Sequence, residues 1–287
     1  MRTLITNLLL FVAASASMAQ SYTGDTWKQT KKSGKGTLTL AYVQTPSFIY
    51  VDNSGQLTGI CIDIMKDFRT WVKDNKKVDI EFKFVGDGSN FRGMYDKVKI
   101  SKGGVVGLGN VTITEERKKE VKFSPPFITN FAILVTQNKV SNLNKLEDMP
   151  KTFSGLTAYT AKGTLNEKRT LELKEKYFPD LKITYTTTSQ ETLEKMLSDN
   201  KGMAYLDLAF YLEAVQLKKS VKRHPLADKA AEQFGFIMPS NSDWGTPFEE
   251  FFAANGGYLN TKEYKAILFK HLGEAGMKLM QSQSQAK

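Results

Sequence analysis

The period of the apolar positions changes repeatedly along the chain, and each change marks a boundary between a strand and a helix. Thr37 to Val43 reads as a strand, and Asp52-Asn53-Ser54-Gly55 is a turn by composition. Ile64, Met65, Phe68, Trp71 and Val72 recur at helical spacing. Val78, Ile80, Phe82 and Phe84 alternate with polar residues, as in a strand with one buried face. Phe91 to Lys99 predicts a short helix and Gly104 to Leu108 a buried strand. The rhythm then returns. Thr157 to Thr160 is a strand, Gly163-Thr164 opens a helix, and Ile183 to Tyr185 is a second strand. Thr188-Ser189-Gln190-Glu191 forms a capping box ahead of Leu193, Met196 and Leu197. Met203 to Leu206 is a third buried strand, followed by a helix through Tyr211 and Val215. Two α/β units, each a small sheet covered by helices, fit this order better than one continuous sheet.

The remainder adds a strand over Phe234 to Met238. Thr246-Pro247-Phe248-Glu249 combines an N-cap, a proline at the first helical position and a capping glutamate. A last helix carries Tyr264, Ile267, Leu268 and Leu272.

The N-terminus changes the picture of where the protein works. Arg2 supplies a positive start, Leu8 to Ala14 is a short apolar run, and Ser17-Met18-Ala19 has the small-x-small form of a signal-peptidase site. The run is too short to span a bilayer, and no Cys follows it to carry a lipid anchor. Residues 1–19 therefore read as a cleaved signal peptide, with a mature protein starting near Gln20 and exported to the periplasm. Cys61, the sole cysteine, cannot form an internal disulfide, and its setting, Gly59-Ile60-Cys61-Ile62, is that of a buried inert thiol. No Cys/His cluster suggests a metal or another cofactor. With only His224 and His271, histidine-based catalysis has little material. The net charge of +10 admits nucleic acid or an anionic membrane as partner. Yet the lysines are mixed with acids, as in Glu115-Glu116-Arg117-Lys118-Lys119-Glu120, and no basic run alternates with aromatics, so solvated faces are expected instead of a nucleic-acid surface.

One segment concentrates chemistry. In Asn110-Val111-Thr112-Ile113-Thr114-Glu115-Glu116-Arg117 a buried strand ends at Asn110, and Thr112 stands three residues before Glu115, a capping-box spacing. Free amides of a first helical turn, a hydroxyl and the planar fork of Arg117 together suit one anion. A capped surface helix with a solvated arginine accounts for the same residues equally well.

The segment T-I-T-x-E-R, followed by K-x-V-x-F-S-x-P-F over Lys119 to Phe127, resembles the signature of the family 3 periplasmic solute-binding proteins, the amino-acid-binding components of ABC importers. Pro46-Ser47-Phe48-Ile49-Tyr50-Val51-Asp52, then Gly55, Gly59 and Asp63, is similar to that family's opening pattern, and Tyr264 to Gly273 to its closing helix. The resemblance implies a two-lobed α/β fold in which two strands join the lobes: 20–128 and 234–287 in lobe 1, 129–233 in lobe 2. It implies that Thr112 and Arg117 hold a ligand carboxylate, with Asn110 presenting backbone groups and Thr164, behind Gly163, adding a helix start from lobe 2. It places Asp207 on the ligand's ammonium and Phe91 against the ligand. On the residues alone, Asp207 reads equally as an N-cap and Phe91 as core. Thr45 and Tyr42 stand where the family often carries a stacking aromatic and an aspartate, so they are candidate lining residues of an altered side-chain pocket. Resemblance thus implies a monomer that binds a small zwitterionic solute, an amino acid first, for the membrane subunits of an ABC importer, with no catalytic residue. Two alternatives stay open: a cyclohexadienyl-dehydratase-like enzyme on the same fold, and a binding protein for a solute that is not an amino acid.

Overall fold

The computed structural model describes residues 21–88 and 90–284, so the expected signal peptide lies outside the described residues. The first unit runs β1 (Lys35–Val43), α1 (Ile60–Lys76), β2 (Asp79–Gly88), α2 (Phe91–Ile100) and β3 (Val105–Leu108). Strand β1 pairs in parallel with β2 on one side and β3 on the other. Its alternation buries both faces. Leu38 and Leu40 join the cluster that holds Ile64, Phe68 and Val72 of α1, while Ala41 and Val43 join that of Met94, Tyr95 and Val98 of α2. A strand covered on both faces has no use for polar side chains, and all four residues of β3 are buried and uncharged.

A short helix, α3 (Glu115–Lys118), and strand β4 (Val121–Phe123) precede β5 (Ile128–Gln137), which enters the second sheet. That unit continues with β6 (Thr157–Ala161), α4 (Leu165–Lys176), β7 (Lys182–Thr186), α5 (Ser189–Ser198) and β8 (Gly202–Asp207). It ends with α6 (Leu208–Gln216), β9 (Val221–Arg223) and β10 (Lys229–Phe234). Strand β6 pairs in parallel with β7 and β8, whereas β5 runs antiparallel to β8, β9 and β10. Strand β11 (Ile237–Pro239) returns to the first sheet, antiparallel between β3 and β4. Each sheet therefore has its first parallel strand between its second and third, with an antiparallel strand beyond the third. The two lobes share one plan.

The strand expected over Phe234 to Met238 is in fact two. Phe234 ends β10 and Ile237 starts β11, because the chain changes sheets between them. Here the crossing segments lie side by side: Phe127 N–H donates to Phe234 O at 2.9 Å, and Ile128 and Thr129 pair with Phe234 and Gln233. One apolar cluster runs from Leu38 through Phe127, Phe131, Phe234 and Phe236 to Leu206 and Leu212, so the lobes share a core at the crossing.

Helix α7 (Gly245–Ala253) starts with Trp244 at its N-cap and no side-chain cap, so Thr246 and Pro247 lie inside its first turn, not before it. Helix α8 (Lys262–Ser284) is broken at Gly273, whose φ of 66° and ψ of −177° are open to glycine and little else. Past the break the chain returns to lobe 2, where a Cβ on Gly276 would stand 2.9 Å from Leu212 Cδ1 of α6. Cys61 is fully buried with Sγ 3.9 Å from Gly109 O, and burial pushes its thiol pKa up. His224 is also buried, with Nε2 2.8 Å from Thr136 Oγ1, and burial lowers its pKa to about 4. No helix among the described residues is long and apolar enough to cross a membrane.

Candidate functional site

Asn110 follows β3 and Asp207 closes β8, so both stand outside carboxyl ends of parallel strands, where open α/β sheets bind ligands. Between the lobes at this level lies a cavity of about 560 Å³, a size suited to a small molecule. It is lined by Thr45, Phe91, Asn110, Thr112, Arg117, Thr164 and Asp207.

The eighth candidate, Tyr42, is not among the lining residues. Its ring lies edge-on to Phe84, with centroids 6.4 Å apart, and packs where a Cβ on Gly88 would fall. Phe84 and Gly88 both belong to β2, so Tyr42 faces the neighbouring strand and not the cleft.

Asp207 occupies the N-cap position of α6 but makes no side-chain cap. Its carboxylate instead accepts three amides. Asn110 Nδ2 donates to Oδ2 at 2.6 Å, and Asn130 Nδ2 and Asn166 Nδ2 donate to Oδ1 at 3.2 and 3.3 Å. Asn130 does the capping, accepting from Leu208 N–H at 3.1 Å. Asn166 Oδ1 accepts from Arg169 Nη1 at 2.5 Å, and the buried Arg169 is ion-paired with Glu232 of β10. Burial raises the pKa of Asp207, while the charge of Arg169 and the three amides oppose the rise. Carboxylates have about four acceptor positions, so Asp207 keeps capacity for one further donor.

Across the cavity, Arg117 Nη1 donates to Thr112 O at 2.9 Å, and the guanidinium carbon lies 5.0 Å from the Phe91 ring centroid and 5.8 Å from that of Tyr95. Burial lowers its pKa, yet a guanidinium stays charged. Cation–π contact of this kind holds the fork in place. Phe91 thus supports the arginine as well as lining the wall. The capping box expected at Thr112 does not form. Thr114 is the N-cap of α3, accepting from Arg117 N–H at 3.2 Å, while Thr112 is bridged to Phe234.

Thr164 does cap its helix. It accepts from Glu167 N–H at 3.3 Å, Glu167 accepts from Gly163 N–H at 2.7 Å, and the Thr164 hydroxyl donates to Ala161 O at 2.7 Å. With that proton committed, the first-turn amides of α4 are the donors an anion would find here. Thr45 Oγ1 donates to Asn110 Oδ1 at 3.2 Å and so orients the amide that reaches Asp207.

Several lining residues were not singled out from sequence: Asn166, Arg169, Glu213, Tyr50 and His271. His271 Nε2 lies 2.8 Å from Asp63 Oδ2, and its Nδ1 3.3 Å from the Tyr50 hydroxyl. Burial lowers the pKa of His271 despite Asp63. No group of three or more His, Cys, Asp or Glu residues among the described residues could hold a metal ion.

The model of the bacterial extracellular solute-binding proteins, family 3, matches residues 38–201. The chain belongs to that family. A glutamine-binding protein of Geobacillus stearothermophilus is 31% identical over 143 residues, 49% of this chain and 50% of the relative. The match thus spans half the length of that curated relative. Among solved structures, an ancestral arginine-binding protein bound to glutamine superposes with a TM-score of 0.64 at 24% identity, covering 83% of this chain and 98% of that one. The arginine-, lysine-, histidine-binding protein ArtJ of Geobacillus stearothermophilus gives 0.65 at 18% identity, over 83% and 96%. The ancestral amino acid-binding protein AncCDT-1, a precursor of cyclohexadienyl dehydratase, gives 0.62 at 22%, over 85% and 98%. At these identities the likeness is one of fold: two lobes around a cleft.

Proposed function

We propose that this family member binds an α-amino acid between its lobes and delivers it, as a monomer in the periplasm, to the membrane subunits of an ABC importer. One observation carries the reading: a fixed guanidinium from lobe 1 and a carboxylate from lobe 2 line the same cavity. Arg117 suits an α-carboxylate and Asp207 an α-ammonium, and a zwitterion between them bridges units 20–128 and 129–233. Such a ligand favours the closed arrangement through contacts that the open one lacks. Amino-acid ligands named for the relative and the structural neighbours support this class.

A thermal-shift screen of the mature protein against the amino acids and related metabolites tests it. A solute that binds only the folded state raises Tm by mass action. Hits confined to compounds without an α-amino acid group would sink the reading. The dehydratase alternative is tested with prephenate and arogenate, where we expect no phenylpyruvate or phenylalanine.

A further inference from the structure

Helix α6 brings Phe210, Glu213 and Gln216 to the cavity wall from one face, three residues apart. Among the described residues, Glu213 differs from Asp207, Glu232 and Asp63. Asp207 has three amides, Glu232 has Arg169, and Asp63 has Lys66, Lys270 and His271. The Glu213 carboxylate has no hydrogen bond or ion pair among the described residues, and its Oε2 is closed off from solvent. Burying a carboxylate without a partner is costly. The position adds to that cost, since Glu213 sits in the last turn of α6, at the negative end of the helix dipole. Burial and the neighbouring acid Glu194 both push its pKa up.

No partner of α6 among the described residues asks for an acid there. What the fold withholds from Glu213 is a cation, and the cavity it lines extends well beyond the space that an α-ammonium and an α-carboxylate fill. We infer that Glu213 receives a positively charged group at the distal end of the bound solute, so that the site selects basic α-amino acids over neutral ones. This rests on the amino-acid reading of the cleft, with Arg117 and Asp207 on the α-groups and Glu213 left for the side chain.

Calorimetry with L-lysine and its neutral counterpart L-norleucine tests the inference, because the two share their α-groups. The parent should bind lysine at least about tenfold more tightly. Glu213→Gln should weaken lysine by about 30-fold, as loss of one partner of a desolvated charge pair does, and change norleucine by less than about threefold. Glu213→Asp, with a shorter reach, should fall between. Equal losses for both ligands in Glu213→Gln, or no loss for lysine, would overturn the inference. A parent that binds norleucine as well as lysine would overturn it too, while leaving the α-amino-acid clamp standing. If the parent binds neither these nor any other α-amino acid, the clamp itself fails and the inference with it. Circular dichroism checks that each variant folds; should Glu213→Gln not fold, the parent's lysine-to-norleucine ratio still decides.

Discussion

Asn110 Nδ2 donates to Asp207 Oδ2 at 2.6 Å, joining the end of β3 in one lobe to the end of β8 in the other. A hydrogen bond to a charged group contributes about 1.5–3 kcal/mol, and both partners of this one line the cavity between the lobes. Asn110→Ala also removes one of the two acceptors of the Thr45 hydroxyl, leaving Val43 O. We expect the variant to bind its best ligand about tenfold or more weakly and to scatter X-rays as a more open particle. Parent-like affinity together with parent-like scattering would show that this bond does not contribute to closure.

Arg117→Ala and Asp207→Ala should each weaken ligand binding by about 30-fold or more, since truncating one partner of a desolvated charge pair costs roughly 2–5 kcal/mol. Both residues border the cavity rather than the core, so both variants should fold. Lys118→Ala, whose exposed side chain pairs with Glu115, should change little. Calorimetry on the three decides, and parent-like binding by folded Arg117→Ala would rule out the zwitterion clamp.

Acid should destabilise the fold partly through His224. Its folded-state pKa is lowered from 6.5 to about 4 by burial. Between those values the unfolded chain binds the proton and the folded one does not, so stability rises with pH there. The contribution is complete above about pH 6.5 and is lost as pH falls towards 4. It amounts to at most about 3–4 kcal/mol, at roughly 1.4 kcal/mol for each pKa unit. Urea melts at several pH values should show this slope, and His224→Gln should flatten it. An unchanged slope would assign the acid sensitivity elsewhere.

Gly273→Ala isolates a backbone effect. A Cβ there meets nothing within 4 Å, but the φ of 66° is strained for any side chain. A loss of about 1–3 kcal/mol in a denaturant melt is expected. A neutral result would mean that the break between the halves of α8 relaxes at little cost.

Most of the strand and helix order was legible from periodicity because each strand packs a stated number of faces. The continuous apolar run of β3 and the 3.6-residue spacing in α1 are direct consequences of that burial. Signals that depend on which of two neighbours takes a role were misread. Thr112 and Thr114 carry the same hydroxyl, and only the observed entry of the chain into α3 selects Thr114 as the cap. Tyr42 turns its ring toward β2, and it is the next residue, Val43, that lines the cleft. The asparagine cradle was not legible as a unit. Asn110 was expected to offer backbone groups alone, Asn130 and Asn166 read as ordinary polar residues far off in sequence, and only the meeting of both lobes at Asp207 gives the three side chains a common task. Glu213 was hidden for a related reason: in an otherwise apolar helix a lone acid reads as a solvent-facing position, and its lack of a partner is a property of the packing.

The sealed environment of Cys61 has a use at the bench. As the chain holds a single sulfhydryl, and the core walls it in, maleimide dyes should leave the parent unlabelled. A cysteine installed at the exposed cleft residue Lys162 would then be the sole target for a fluorophore. Emission from that one dye would report the lobes coming together as solute is titrated, in a preparation that needs no prior removal of the native thiol.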